Sequence, residues 1–135
     1  MPRVLPTVKN VSARLAPVLA RDRRVLFAYL FGSILTRRDA RDVDVAVCVT
    51  GIGDPAAAVE SLAGRMEKAL GYSPRIDAHA LNGASPAFVF EVLSTGELLY
   101  EKDRRRRLDW EAGAVSLYQD IKPMLDFHDR RYLRR

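Results

Sequence analysis

Short apolar runs and alternating apolar and polar positions predict four strands along the chain. The run VLFAYLF is continuous and of strand length, and Gly32-Ser33 follows it as a tight turn follows a buried strand. RIDAHAL alternates between apolar and polar residues, as a half-buried strand does. The strands are predicted at residues 25–31, 43–50, 75–81 and 98–100, the last of them short enough for an edge strand.

Apolar positions with helical spacing predict four helices before, between and after these strands. In the first, over residues 8–19, Pro17 should kink or shorten the helix because proline lacks the backbone N–H that helical bonding needs. The last helix follows Asp103 and contains Pro123 as an expected interior kink. The two middle helices each begin with a capping side chain and a proline and end at a glycine, at Asp54-Pro55 with Gly71 and at Ser85-Pro86 with Gly96.

This order of elements predicts one compact α/β domain over residues 1–135, with residues 103–135 as a helical C-terminal tail. A content of 48% hydrophobic and 29% charged residues fits a single soluble domain with one modest core. Cys48 is the single cysteine, so an intrachain disulfide is excluded and a reducing, cytoplasmic compartment is expected. No segment approaches the roughly 20 apolar residues of a spanning helix, so neither secretion nor membrane insertion is expected.

The chain is basic, with a net charge of +5 and a pI near 9.7. Such a surface could serve nucleic acid, nucleotide phosphates or an acidic protein. The sequence has no clear helix-turn-helix pattern, so DNA binding is possible but unsupported. The arginine run at residues 104–107 predicts an exposed helix start whose charge opposes the helix dipole, which indicates an acidic partner.

Two acids stand at the beginning of the second predicted strand. Because side chains alternate across a strand, Asp42 and Asp44 share one face with Ala46 and Cys48, while the intervening valines form the core face. Adjacent carboxylates repel each other, so a positive charge is expected between them. Mg²⁺ takes oxygen ligands and is commonly held by one or two carboxylates together with substrate phosphates, so this pattern indicates a nucleotide site.

The other parts of such a site lie before and after these acids. Gly32-Ser33 supplies a strand-ending turn whose backbone N–H groups and hydroxyl can approach a phosphate. Asp77 is the candidate third acid, because it shares a strand face with Arg75 and His79 and could meet Asp44 across the sheet. The combination predicts metal-assisted phosphoryl or nucleotidyl transfer. His79 is interpreted as a structural or surface histidine and is left out of the predicted site.

These residues resemble the signature of the nucleotidyltransferase superfamily, which is G-S, then D-x-D, then a third D. The likeness extends over nearly the whole chain. The order YLFGS, DVDVAV, RIDAHALN, EVLSTGELLYEKD and the tail YQDIKPMLDFHDRRYLRR resembles the small MNT-domain antitoxins of the MntA type.

The resemblance implies a minimal nucleotidyltransferase fold, with a small mixed sheet packed against helices, and the use of ATP and Mg²⁺. It also implies a partner, a HEPN-domain toxin with RNase activity, which the antitoxin neutralises by transferring AMP to a tyrosine. By the same likeness, Gly32 and Ser33 would hold the triphosphate, and Asp42 and Asp44 would bind the metals. Asp77 would complete the metal site and act as the base for the attacking tyrosine hydroxyl, and the tail would contact the toxin.

The chain departs from the family pattern around these residues. The segment at residues 34–41 is shorter than the usual loop, Arg41 replaces a serine that often precedes D-x-D, and the small residue and glycine usual after G-S are absent. Because a displacement of about 1 Å can cost ~10²-fold in rate, reduced or lost activity is one expectation. Two alternatives therefore stay open: an inactive antitoxin that masks its toxin by binding alone, and a nucleotidyltransferase acting on a small molecule.

Overall fold

The computed structural model describes residues 7–51 and 53–133, with side chains described as far as residue 126. The predicted tail is therefore described with side chains to residue 126 and as backbone alone over residues 127–133, and its residues 134–135 lie outside the described residues. Within the described residues, no helix combines the length and apolar character needed to cross a membrane. The helices are α1 (Val8–Arg21), α2 (Pro55–Ala69), α3 (Pro86–Thr95) and α4 (Arg104–Leu133), and the strands are β1 (Val25–Phe31), β2 (Asp42–Val49), β3 (Arg75–Ala80) and β4 (Glu97–Glu101).

The four strands form one mixed sheet in the order β3-β2-β1-β4. β1 pairs antiparallel with β2 and with β4, whereas β2 and β3 run parallel and are connected through α2. Parallel neighbours need such a crossover, because a short hairpin can join only antiparallel strands. The α/β class and the edge position of β4 are confirmed, and β4 is longer than the three residues predicted for it.

Both faces of the sheet are covered by helices. The valines of β2 lie in a core with α1 and α2, as the alternation predicts. The opposite face is also buried near its centre, where Ala46 and Cys48 pack with residues of α3 and α4, including Trp110. Burial raises the pKa of the Cys48 thiol to about 11, so this cysteine stays protonated near neutral pH. The acids of β2 therefore begin a strand whose remaining residues are enclosed on both sides.

The predicted helix signals are confirmed in the middle of the chain, while the expectation for Pro17 needs correction. Asp54 and Ser85 accept capping hydrogen bonds from the first turns of α2 and α3. α1 continues past Pro17 to Arg21, so the proline does not shorten it. Pro17 and Ala13, four residues earlier, are both exposed, and water can therefore satisfy the carbonyl that proline leaves without a helical partner.

The bounds of β2, β3 and β4 differ from prediction by one residue at one or both ends, and Asn82 accounts for the difference at the end of β2. β2 covers Asp42–Val49 instead of residues 43–50, and β3 ends at Ala80. The Asn82 side chain accepts from the Val49 N–H at 2.9 Å and donates to the Val49 carbonyl at 2.7 Å. A side chain thus replaces the last backbone pair between the two strands.

The arginine run at the start of α4 is only partly solvated, which corrects the prediction for Arg107. Its side chain is 12% exposed and donates to Glu101 at 2.5 Å and to Glu111 at 2.6 Å. Tyr29 of β1 also donates its hydroxyl to Glu111. Arg107 therefore has acidic partners within this chain, while the preceding residues, 104–106, are exposed as predicted.

Candidate active site

The parallel pairing of β2 and β3 brings two of the predicted acids side by side. Asp44 of β2 is paired in register with Asp77 of β3, and Asp42 is paired with Arg75. Since paired residues project to the same side of a sheet, Asp44 and Asp77 lie together on the face that leads to α3. Asp42 lies on this face one alternation earlier and is exposed.

The electrostatics of Asp44 indicate negative charge that the described side chains do not fully neutralise. Burial raises the pKa of Asp44 above its ordinary value, and repulsion from Asp77 and then from Asp42 acts in the same direction. His79 acts in the opposite direction. A cation beside Asp44 would relieve this repulsion, which fits a metal-assisted site.

His79 completes a compact group of metal-binding side chains with Asp44 and Asp77. One ligand atom from each of the three lies within 4.8 Å of the others. His79 Nε2 lies 3.3 Å from Asp77 Oδ2. Asp42 does not belong to this group, but repulsion from its negative charge contributes to the raised pKa of Asp44. The donor set of two carboxylates and an imidazole fits a divalent cation.

Gly32 brings the phosphate-binding candidate close to the acids. It follows Phe31, which is paired in register with Asp44, and it begins a 3₁₀ turn at Gly32–Leu35. Gly32 has a φ of +81°, and a Cβ added there would lie 2.2 Å from Asp44 Oδ2. Both the backbone conformation and the closeness of the carboxylate therefore require glycine at this position.

The segment after this turn is anchored at its start by backbone hydrogen bonds and at its end by the buried Ala40, and it is exposed between them. The Ser33 carbonyl accepts from the Thr36 and Arg37 N–H groups at 3.1 and 2.8 Å, and Ile34 is buried. Arg37 forms an ion pair with Asp39 at 3.2 Å, in which both side chains are mostly exposed. Solvent screening makes such a pair weak, so Arg37 remains available to an incoming phosphate.

Aromatic rings form one wall of the site. Phe31 from β1, His79 from β3 and Phe88 from α3 contact one another with ring centroids 5.6 to 5.7 Å apart. The Phe31 and Phe88 rings meet at 80°, which is a favourable edge-to-face arrangement. These contacts hold the histidine next to the carboxylates.

The family model described as polymerase beta nucleotidyltransferase matches residues 13–105. The chain belongs to this family. The match includes both strands that carry the acids and the glycine turn between β1 and β2. The superfamily and the fold expected from the sequence are therefore confirmed. No curated protein matches the sequence significantly.

Solved structures extend the likeness to nearly the whole chain. A chain from the complex of tri-AMPylated Shewanella oneidensis HEPN toxin with MNT antitoxin has 21% identity and a TM-score of 0.73, over 93% of this chain and 98% of that one. A chain of the MntA–HepT toxin–antitoxin structure has 20% identity and a TM-score of 0.71 over the same fractions. A toxin–antitoxin structure with AMP-PNP gives 22% and 0.71, again over 93% and 98%. At these low identities, the TM-scores show that the fold is shared.

Alternation along the strands was sufficient to predict the shared face of Asp42, Asp44 and Asp77, and the structure brings the last two together. The catalytic roles of these acids, and those of Gly32 and Ser33, remain predictions. The sequence interpretation left out His79, although it stands two residues after Asp77 on the same face. Its position on that face was a signal that could have included it in the site. The ring contacts with Phe31 and Phe88 could be found only in the fold.

Proposed function

We propose that the protein is a cytoplasmic antitoxin that transfers AMP from ATP to a tyrosine of a cognate HEPN-domain toxin, with Mg²⁺ as the metal. Family membership supports nucleotidyl transfer as the chemistry. The fold shared with toxin-bound MNT antitoxins supports the choice of acceptor, since one such complex contains a tri-AMPylated HEPN toxin. Another toxin–antitoxin structure contains AMP-PNP, which supports ATP as the donor.

One observation carries this proposal, the placement of Asp44 between Asp77 and Gly32. The first neighbour is a second carboxylate on the paired strand, and the other is a residue that has no side chain to block a phosphate. Negative charge next to an open backbone turn suits a metal-bound triphosphate better than it suits an apolar ligand or DNA.

Each residue has a role in the proposed reaction. Gly32 and Ser33 would bind the triphosphate, and Asp42, Asp44 and Asp77 would hold the metal. When bound, Mg²⁺ supplies charge neutralisation for the phosphates. Asp77 takes the proton of the toxin tyrosine while the phenolic oxygen forms a bond to the α-phosphorus. The bond from the α-phosphorus to the bridging oxygen breaks, and pyrophosphate leaves.

The test measures the mass of the toxin after incubation with the protein, ATP and Mg²⁺. We expect the toxin to gain the mass of one or more AMP groups. Asp42→Asn combined with Asp44→Asn should abolish this gain, because the remaining acid cannot hold the metal alone. Glu60→Gln is the matched control, since Glu60 is an exposed acid of α2, which packs on the opposite face of the sheet.

Three outcomes would contradict the proposal in different ways. Modification that persists in the double variant would remove these acids from catalysis. Tight toxin binding and inhibition with unchanged toxin mass would instead favour masking by an inactive nucleotidyltransferase. Calorimetry of ATP with Mg²⁺ separates this case further, because a purely masking antitoxin needs no nucleotide. Failure to bind any HEPN toxin, with AMP transfer to a small hydroxyl compound, would favour the small-molecule enzyme.

A further inference from the structure

His79 occupies the position of a metal ligand. Its Nε2 lies 3.3 Å from Asp77 Oδ2, and the ligand atoms of His79, Asp44 and Asp77 lie within 4.8 Å of one another. With metal–ligand bonds of about 2.1 Å, neighbouring donors of an octahedral ion lie about 3 Å apart and opposite donors about 4.2 Å apart. The three side chains therefore need only a small inward movement to share one ion.

The contacts of the imidazole ring direct it towards the acids. Phe31 and Phe88 contact the ring with centroids 5.7 and 5.6 Å away, and the side chain keeps 40% of its surface exposed. A surface histidine without such neighbours would sample several rotamers, and most of these would not contact Asp77. Here two aromatic neighbours from different elements restrict the ring, which keeps its Nε2 near Asp77.

An imidazole changes which metal the site prefers. Carboxylate and water ligands suit Mg²⁺, whereas a nitrogen donor favours first-row transition metals, because Mg²⁺ is a hard ion that prefers oxygen. We propose that His79 is a direct ligand together with Asp44 and Asp77, which raises the affinity of the site for a transition-metal ion such as Mn²⁺ relative to Mg²⁺, the metal of the proposed reaction. This inference rests on the metal site of the proposed function and adds a ligand that is not a carboxylate.

The experiment uses the full chain with Mn²⁺ alone, without nucleotide, so that a nitrogen ligand must come from the protein. Pulsed electron paramagnetic resonance of bound Mn²⁺ should show coupling to a ¹⁴N nucleus, and His79→Gln should abolish it. Competition between Mn²⁺ and Mg²⁺ should show that the preference for Mn²⁺ falls roughly tenfold or more in this variant. Glutamine keeps an amide that can bond to Asp77, so a loss of preference cannot come from misplacement of Asp77 alone.

Phe90→Leu serves as the matched control, because Phe90 lies on the same helix as Phe88 but stacks on Tyr118 and has no described contact with the imidazole. It should retain the ¹⁴N coupling. Absence of coupling in the parent protein, no saturable Mn²⁺ binding at millimolar concentration, or an unchanged metal preference in His79→Gln would overturn the inference. AMP transfer is measured separately. Transfer without a nitrogen ligand refutes only the role of His79, whereas a nitrogen ligand without transfer refutes only the proposed function.

Discussion

At position 32 there is no room for a side chain, because the Asp44 carboxylate lies where a Cβ would be. Asp44 lies against the turn because Phe31, immediately before Gly32, is its partner in the sheet. The pKa of Asp44 is raised by burial and by repulsion from Asp77, so its closeness to the turn does not come from a favourable charge environment. The packing of β1 on β2 holds the carboxylate where a bound phosphate and its metal would be.

Gly32→Ala should therefore damage both stability and nucleotide binding. The positive φ and the contact with the Asp44 carboxylate should together cost about 1–3 kcal/mol of the free energy of unfolding. The displaced carboxylate should weaken binding of AMP-PNP with Mg²⁺ at least tenfold, as measured by calorimetry. Gly64→Ala is the matched control, because Gly64 is an exposed residue of α2 with open space around it. This control should stabilise the protein by about 0.5–1 kcal/mol. Equal effects of the two substitutions would refute the steric argument.

At this scale the sequence predicts faces but not contacts. The two-residue period of a strand assigns Asp42 and Asp44 to one side and the valines to the other, which the structure bears out for the core face. The approach of His79 to Asp77 depends on rings from two other elements, and local periodicity carries no information about them. Arg107 was misinterpreted for the same reason, since its partners lie on β4 and one turn later in α4.

At the scale of helices and strands, local chemistry predicts ends well and fails where tertiary packing decides. The boundaries of β1 agree with prediction, and both Asp-Pro and Ser-Pro starts are helix caps. Gly96, predicted as the stop of α3, is also necessary for packing, because a Cβ there would lie 2.5 Å from the Val92 carbonyl oxygen. The attachment of α4 to the sheet could not be predicted, since its charged run suggests a solvated helix start.

Arg107→Met should show that this attachment stabilises the fold. The substitution leaves Glu101 and Glu111 without their shared cation and weakens the support of the Tyr29 hydroxyl. Because these side chains are largely buried, we expect a loss of about 2 kcal/mol in the free energy of unfolding, measured by urea denaturation. Arg105→Met is the matched control within the same run, and its exposed side chain predicts a change within about 0.5 kcal/mol. A similar loss in both variants would mean that the ion pairs add no stability.

At the scale of the whole molecule, the sequence predicts the class of the fold but not the topology of the sheet or the burial of both its faces. The order of apolar segments gives an α/β domain, but strand order and direction follow from how β2, α2 and β3 pack. The second buried face of the sheet was missed because Ala46 and Cys48 lie on the face assigned to the acids. Packing within the described chain does not explain the exposed apolar side chains of α4. From its middle onward, α4 carries exposed apolar side chains, among them Leu117 and Met124, which are 51% and 66% exposed.

These side chains provide a test of the proposed toxin contact of the tail. Leu117 and Met124 are seven residues apart, two turns of helix, and so project to the same side of α4. If the toxin covers this side, Leu117→Ser with Met124→Ser should weaken toxin binding by about 30- to 1,000-fold, because each buried apolar side chain contributes about 1–2 kcal/mol. Leu108→Ser is the matched control, since Leu108 is a 46% exposed residue of the same helix but projects to the opposite side.

Surface plasmon resonance with immobilised toxin measures both variants, and circular dichroism checks that α4 is intact. An equal loss in the control would indicate general damage to the helix. Unchanged affinity in the double variant would move the toxin contact elsewhere on the molecule and leave these exposed side chains without a partner.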